Sequence, residues 1–159
     1  MIIKSLELSC FRNYDFLNLE FDRGTNILFG DNAQGKTNIL EAIYLCATTK
    51  SHKGSKDKDI VKFDAQEAHI RSYLEKDGIE RRIDMHLRKN KSKGIAVDQV
   101  RLKKAAELLG LMNVVFFSPE DLSIIKNGPG ERRHFVDMEL CQLDSFYLYN
   151  LNHYNKIVN

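Results

Sequence analysis

The residues best suited to chemistry are Gly30, Gly35, Lys36 and Thr37, set within Gly30-Asp31-Asn32-Ala33-Gln34-Gly35-Lys36-Thr37. The spacing is GxxxxGK(S/T), the pattern of a phosphate-binding P-loop. Two glycines let the backbone turn and approach phosphate oxygens with no Cβ in the way. The successive backbone N–H groups across Asp31, Asn32, Ala33 and Gln34, and the positive end of a following helix dipole, favour an anion. Lys36 reaches β- and γ-phosphates, and the Thr37 hydroxyl is a ligand for Mg²⁺ carried with ATP. Gly30 to Thr37 therefore form the candidate nucleotide site, with ATP and Mg²⁺ as the implied cofactors. The bland alternative is a glycine turn between a strand and a helix, with no ligand.

A P-loop needs a strand to deliver it and a helix to receive it. The apolar run Thr25–Phe29 predicts that strand, and residues 38–45 carry helical spacing with Leu40, Ile43, Tyr44 and Ala47 as the buried stripe. Glu41, in the second turn, is expected to be a solvated or capping charge rather than a carboxylate near Mg²⁺. Residues 2–10 and 16–21 alternate as two strands before the P-loop, with Phe11-Arg12-Asn13-Tyr14 between them. A Ras-like or kinase-like domain usually places its P-loop after the first strand. An early antiparallel pair is typical of transporter-type ATPase heads.

Beyond the helix, residues 48–62 form a polar loop in which lysines outnumber Asp57 and Asp59. Either it contacts a phosphate backbone or it is simply solvated. His52, within it, is expected at the surface. Residues 67–75 and 79–88 read as a hairpin around Asp77-Gly78, with Ile70, Tyr73, Ile79, Ile83, Met85 and Leu87 supplying apolar faces. His69 and His86 are expected as half-exposed strand residues rather than metal ligands. A basic tip, Arg88–Lys93, precedes further β runs at 95–97 and 100–102. That tip either meets DNA or protects a sheet edge. Lys53, Lys56, Lys89 and Lys91 are the candidate DNA contacts.

Lys104–Leu109 predicts a short helix, and the apolar run Asn113–Phe117 a buried, parallel strand. Ser118-Pro119-Glu120-Asp121 reads as a helix start rather than a Walker B, because Ser118 and Pro119 separate the apolar run from the acids. That helix runs from Leu122 to Lys126, Asn127-Gly128-Pro129-Gly130 breaks it, and Glu131–Tyr149 predicts a longer one. The chain then stops at Asn159 without a helix stop signal, as a cut through a helix would.

Hydrophobic residues at 43% and charged residues at 29% allow both a core and a soluble surface. A net charge of +2 means that any nucleic-acid footprint must be local. Cys10, Cys46 and Cys141 are too far apart for a C-x-x-C pair and are expected to be reduced core residues of a cytoplasmic protein. No apolar run approaches a membrane span, so no membrane partner is expected.

Three stretches together resemble the RecF family of bacterial recombination-repair ATPases: Phe11–Tyr14, residues 30–44, and Ser118–Asp137 with its Arg132-Arg133-His134-Phe135-Val136-Asp137. Asn127 stands where that family usually has glycine. Wider relatives are the heads of structural-maintenance-of-chromosomes and double-strand-break-repair ATPases. The resemblance implies an α/β P-loop NTPase lobe of the ABC/SMC-head type. Such a lobe carries a mixed sheet and an antiparallel β subdomain (residues 1–118), followed by the start of a helical lobe (119–159). It implies Arg12 and Asn13 near the nucleotide, and Arg132 and Arg133 either bracing the second lobe or touching DNA. For the intact protein it implies an ATP-dependent homodimer at single-strand/double-strand DNA junctions, acting with RecR and RecO in RecA loading, replication, repair and the SOS response. Such a protein is a slow DNA-dependent ATPase. Its LSxGQ signature, Walker B and catalytic glutamate fall outside these 159 residues, so no catalytic residue is expected here. The alternatives are a P-loop head of another DNA-processing ATPase and a non-enzymatic interaction module.

Overall fold

The alternating stretches on either side of the P-loop helix join into one antiparallel sheet. The computed structural model describes residues 1–118 and 128–158, and the chain divides into two compact units, Met1–Leu108 and Leu109–Asn159. Leu109–Ser118 thus fall in the second unit.

The first unit is built on β1 (Ile2–Phe11), β2 (Tyr14–Glu20), β3 (Glu67–Lys76), β4 (Ile79–Arg88), β5 (Gly94–Val97) and β6 (Val100–Arg101). Their order across the sheet is β2-β1-β3-β4-β5-β6, antiparallel throughout. Tight turns set the register. Asp77 and Gly78 both take positive φ (54° and 77°), the backbone that a two-residue hairpin turn requires. Asp98 and Gln99 do the same between β5 and β6. Register places Leu8, Ile70 and Met85 in one row across three strands, and all three are buried. Leu6, Leu74, Ile83 and Leu87 extend that apolar face.

Helix α1 (Lys36–Thr48) and the short helix α2 (Asp57–Ile60) pack against the sheet, and a 3-10 turn at Ala105–Leu108 packs on α1. The 3-10 turn stands where sequence spacing predicted a short helix. α1 buries Ile39, Ala42, Leu45 and Cys46. Of the expected stripe only Ala47 is buried, and Leu40 is exposed. Both sets have helical spacing and apolar residues, so the sheet, and not periodicity, chooses between them.

Two expected strands do not form ladders. Thr25–Phe29 and Asn113–Phe117 are assigned to no strand, and Ile27, Phe29, Val115 and Phe117 are 77%, 90%, 86% and 81% exposed. A strand is a property of a pair, and among the described residues neither run has a strand neighbour. Val114 instead finds the Gln142 side chain, whose Oε1 accepts from Val114 N (2.8 Å) while its Nε2 donates to Val114 O (3.2 Å).

In the second unit the predicted long helix is two: α3 (Pro129–Leu143) and α4 (Ser145–Val158). Asp144 leaves helical geometry (φ −137°, ψ 112°), and its Oδ1 accepts from Phe146 N at 2.8 Å, capping α4. Pro129 occupies the first turn of α3, where its missing N–H costs nothing. The helix start at Pro119–Asp121 and the helix to Lys126 lie outside the described residues.

Ile70→Ala should destabilise the chain by about 2–5 kcal/mol in urea unfolding, because it opens a cavity in the middle of that row. Ile79→Ala, at a half-exposed position, should change stability by less than about 0.5 kcal/mol.

Candidate nucleotide site and the basic concavity beside it

The P-loop is shaped by three left-handed residues, Gly30 (φ 137°), Ala33 (φ 64°) and Gly35 (φ 101°). Gly35 is required twice over. Its φ suits glycine, and a Cβ there would lie 2.6 Å from Tyr14 Oη and 2.8 Å from the Asn13 amide. α1 starts directly after it, with Asn38 N donating to Gly35 O at 2.7 Å. Lys36 folds back along the loop, its Nζ donating to Gly30 O (2.7 Å) and Asp31 O (2.5 Å). The charge therefore sits at the loop itself, held by neutral acceptors that phosphate oxygens can outcompete. Thr37, like Asp31, Asn32, Ala33 and Gln34, is exposed.

Residues 13 and 14 brace the loop. Asn13 Nδ2 and Tyr14 Oη each donate to Gln34 O at 3.3 Å, and Asn38 Nδ2 donates to Asn13 Oδ1 at 2.8 Å. Burial raises the Tyr14 hydroxyl above its ordinary pKa, so it stays a donor. Tyr14 and Asn38 were not among the sequence-predicted site residues. Their position in the Phe11–Tyr14 and P-loop stretches was the only sequence signal.

Arg12 occupies the tight turn between β1 and β2 at φ 53°. Its guanidinium is engaged on three sides. Nε and Nη2 donate to the two carboxylate oxygens of Glu41 (2.8 and 2.6 Å), Nη2 also reaches Ser55 Oγ (2.7 Å), and Nη1 reaches Asp59 O (2.9 Å). Glu41 is fully buried and also accepts from Ser51 Oγ. It is neither solvated nor a helix cap, which corrects the expectation from sequence. Burial opposes its charge, but hydrogen bonds from Arg12 and Ser51, with the charges of Arg12 and Lys53, outweigh that and hold it below the usual carboxylate range.

Beside this network lies a concavity lined by Arg12, Asn13, Asn38, Lys53, Lys58 and Lys89, with Phe63 at its wall. Lys53 and Lys89, predicted from separate loops, thus come together, and Lys58 joins them. Lys53 Nζ donates to Asn38 Oδ1 at 3.4 Å and Lys89 Nζ to Phe63 O at 2.8 Å. Lys56 and Lys91 are exposed and do not line it. Lys93 is held structurally, by Thr49 O and Asp57 Oδ1.

Other expectations resolve individually. His52 is half-buried, edge-on to Tyr44 at 5.8 Å, rather than a surface residue. Arg132 and Arg133 are exposed in the first turns of α3. All three cysteines are free, Cys46 and Cys141 buried and Cys10 half-buried. Burial pushes the Cys46 thiol up to about 12.

Comparison with known proteins gives the family and the fold. A family profile described as an AAA domain matches residues 5–147. The chain is 67% identical over 159 residues to the DNA replication and repair protein RecF of Lachnoclostridium phytofermentans, and 48% identical to that of Clostridium novyi. In both cases it matches along its whole length but spans only 44% of the relative. A solved structure of the recombination mediator protein RecF with ATP superposes with a TM-score of 0.93 at 40% identity, covering 98% of this chain and 42% of that one. A structure from work on ATP-driven dimerization and DNA-stimulated activation of SMC ATPases shares the fold, with a TM-score of 0.70 at 22% identity over 87% of this chain and 99% of that one.

Removing the Glu41 charge leaves the Arg12 guanidinium partly buried without its counter-ion. Glu41→Gln should cost about 3 kcal/mol at neutral pH, toward the low end for a buried pair because Arg12 keeps some solvent access. Because the folded-state value is depressed, the pair's contribution is present above the ordinary carboxyl value of 4.5 and lost as pH falls through the lowered one. Urea unfolding at several pH values should therefore show the gap between wild type and variant closing below that value. A constant gap would mean that the pair does not set it.

Proposed function

We propose, on the premise that this chain belongs to the AAA-domain family and is similar along its length to the N-terminal part of RecF, that it is the nucleotide-binding lobe of a RecF-type repair ATPase head. The carrying observation is the braced P-loop: a Gly35 that admits no side chain, a Gln34 carbonyl held by Asn13 and Tyr14, and Lys36 at the loop. The residues fit a triphosphate. Backbone N–H groups from Asp31 to Lys36 bind its oxygens, Lys36 supplies charge, and the Thr37 hydroxyl orients Mg²⁺. Bound Mg²⁺ would supply charge neutralisation between the β- and γ-phosphates. Asn13 acts here as a brace for the loop, and Arg12 acts through Glu41 and the Ser51–Asp59 segment.

The concavity next to the loop supports a second role. Lys53, Lys58 and Lys89 converge on one surface, which suits the repeating charge of a DNA backbone. Lys56 and Lys91, which do not line it, are the more remote candidate contacts. Contacts of lysines with phosphates carry no sequence information, so this face would bind DNA without regard to sequence. In the intact protein this lobe would work in the cytoplasm as one half of an ATP-dependent homodimer at single-strand/double-strand junctions. There it would act with RecR and RecO in RecA loading, and so in replication, repair and the SOS response. The 159 residues contain no LSxGQ stretch, the element with which a head of the RecF type would complete its ATP site.

Two measurements test this reading. Titration with fluorescent ATP and Mg²⁺ should show binding that Lys36→Ala weakens by roughly tenfold to a hundredfold, the loss of a charge-assisted hydrogen bond. The chain alone should turn over negligible ATP. No binding at millimolar nucleotide would favour an interaction module, and robust turnover would contradict the assignment of catalysis to other parts.

Charge reversal at Lys53 and Lys89 in the intact protein should weaken DNA binding and lower the slope of log affinity against log salt by about 0.9 for each duplex phosphate no longer neutralised. The same change at Lys56 and Lys91 should cost less. Unchanged affinity at low salt would remove DNA from this face.

A further inference from the structure

The sheet has a second, polar face, and one row across it is unusual. Register aligns Ser9 of β1, His69 of β3, His86 of β4 and Gly94 of β5. The two imidazoles are direct cross-strand partners, with ring centroids 4.2 Å apart and planes 20° from parallel. Glu67, two residues before His69, points to the same face. Its Oε2 is paired with His86 Nε2 and lies 4.0 Å from His69 Nε2.

We propose that Glu67, His69 and His86 form a binding site for a divalent transition-metal ion of the zinc type, clipping β3 to β4. One ligand atom from each lies within 4.8 Å of the others. A tetrahedral Zn²⁺ with bonds of about 2.0–2.2 Å needs donors roughly 3–3.5 Å apart and an ion in the plane of each ring, so binding would tilt the two imidazoles out of their stack toward one point. Two imidazoles and one carboxylate form a donor set that suits zinc, and three protein ligands leave a fourth position for water.

The surroundings leave room for an ion. The flanking positions in the row carry Ser9 and Gly94, so no bulky side chain crowds the rings. Gly94 has only the His86 Cβ within 4 Å of where its own Cβ would stand. The row lines a trough of ≈ 490 Å³ open to solvent. Three arginines, Arg71, Arg88 and Arg101, line the same trough. Arg71 pairs with Glu7 (3.2 Å) and Asp84 (2.7 Å), and Arg88, opposite Glu67, donates to Ser92 O at 2.8 Å. Spacing in sequence hides the site, because His69 and His86 come together only through the hairpin register. The expectation that they are merely half-exposed strand residues is correct about exposure but misses their convergence.

Isothermal titration of this chain with Zn²⁺ in a non-chelating buffer should give one site of micromolar affinity. His69→Ala and His86→Ala should each weaken it by at least about tenfold, and Glu67→Gln by less. Cys10→Ser, a control for the half-buried thiol, should leave it unchanged. Binding that survives the paired His69→Ala and His86→Ala substitutions, or no binding at millimolar Zn²⁺, overturns the proposal. Anomalous scattering from Zn²⁺-soaked wild-type crystals gives a test that does not depend on variants folding. A peak bonded to these three side chains supports the site, and zinc found only elsewhere, or nowhere, overturns it.

Discussion

The ion pair between Arg12 and Glu41 is the constraint on which the nucleotide site depends. Glu41 is a fully buried carboxylate on the helix that leaves the P-loop. An uncompensated charge there would cost several kcal/mol. Arg12 compensates it from a turn whose left-handed backbone an arginine does not favour. The same guanidinium reaches Ser55 and Asp59, so one side chain joins the edge of the sheet, the P-loop helix and the lysine-bearing loop. Ser51 adds a hydrogen bond to the same carboxylate. Displacing any of these pieces exposes the others to an unpaired buried charge.

From that anchor the loop's geometry follows. The turn that presents Arg12 also presents Asn13 and Tyr14, and these two hold the Gln34 carbonyl and close the space around Gly35. The phosphate cradle is thus fixed from beneath by the β1–β2 turn before any ligand arrives. Pre-set backbone donors lose less entropy on binding than donors that must first be ordered. The lysines of the adjoining concavity belong to the same assembly, since Lys53 touches Asn38 and helps to hold Glu41 charged.

Much of this was readable from residue pattern. Alternation placed β1 to β6, Asp77-Gly78 placed the hairpin, and GxxxxGK(S/T) placed the loop and its helix. What pattern could not supply was partnership. Arg12 and Glu41 are separated by 29 positions, and nothing local says that one neutralises the other. His69 and His86 meet only through strand register. Ile39, Ala42 and Leu45 compete with Leu40, Ile43 and Tyr44 as apolar stripes on one helix, and only the sheet decides between them. Thr25–Phe29 and Asn113–Phe117 have strand composition but no ladder, because composition provides one side of a pair. Asp144 interrupts a helical pattern because its carboxylate caps the next helix better than it continues the last.

Those two apolar runs matter for how the chain behaves in concentrated solution. Phe29 and Phe117 lie almost bare, as do Ile27 and Val115. A net charge of +2 gives little mutual repulsion to keep molecules apart. Salt that screens the remaining charge, or a kosmotrope that strengthens apolar burial, pushes in the same direction. These side chains, with the equally bare Phe63 and Ile157, are therefore the parts of the surface on which such conditions act most.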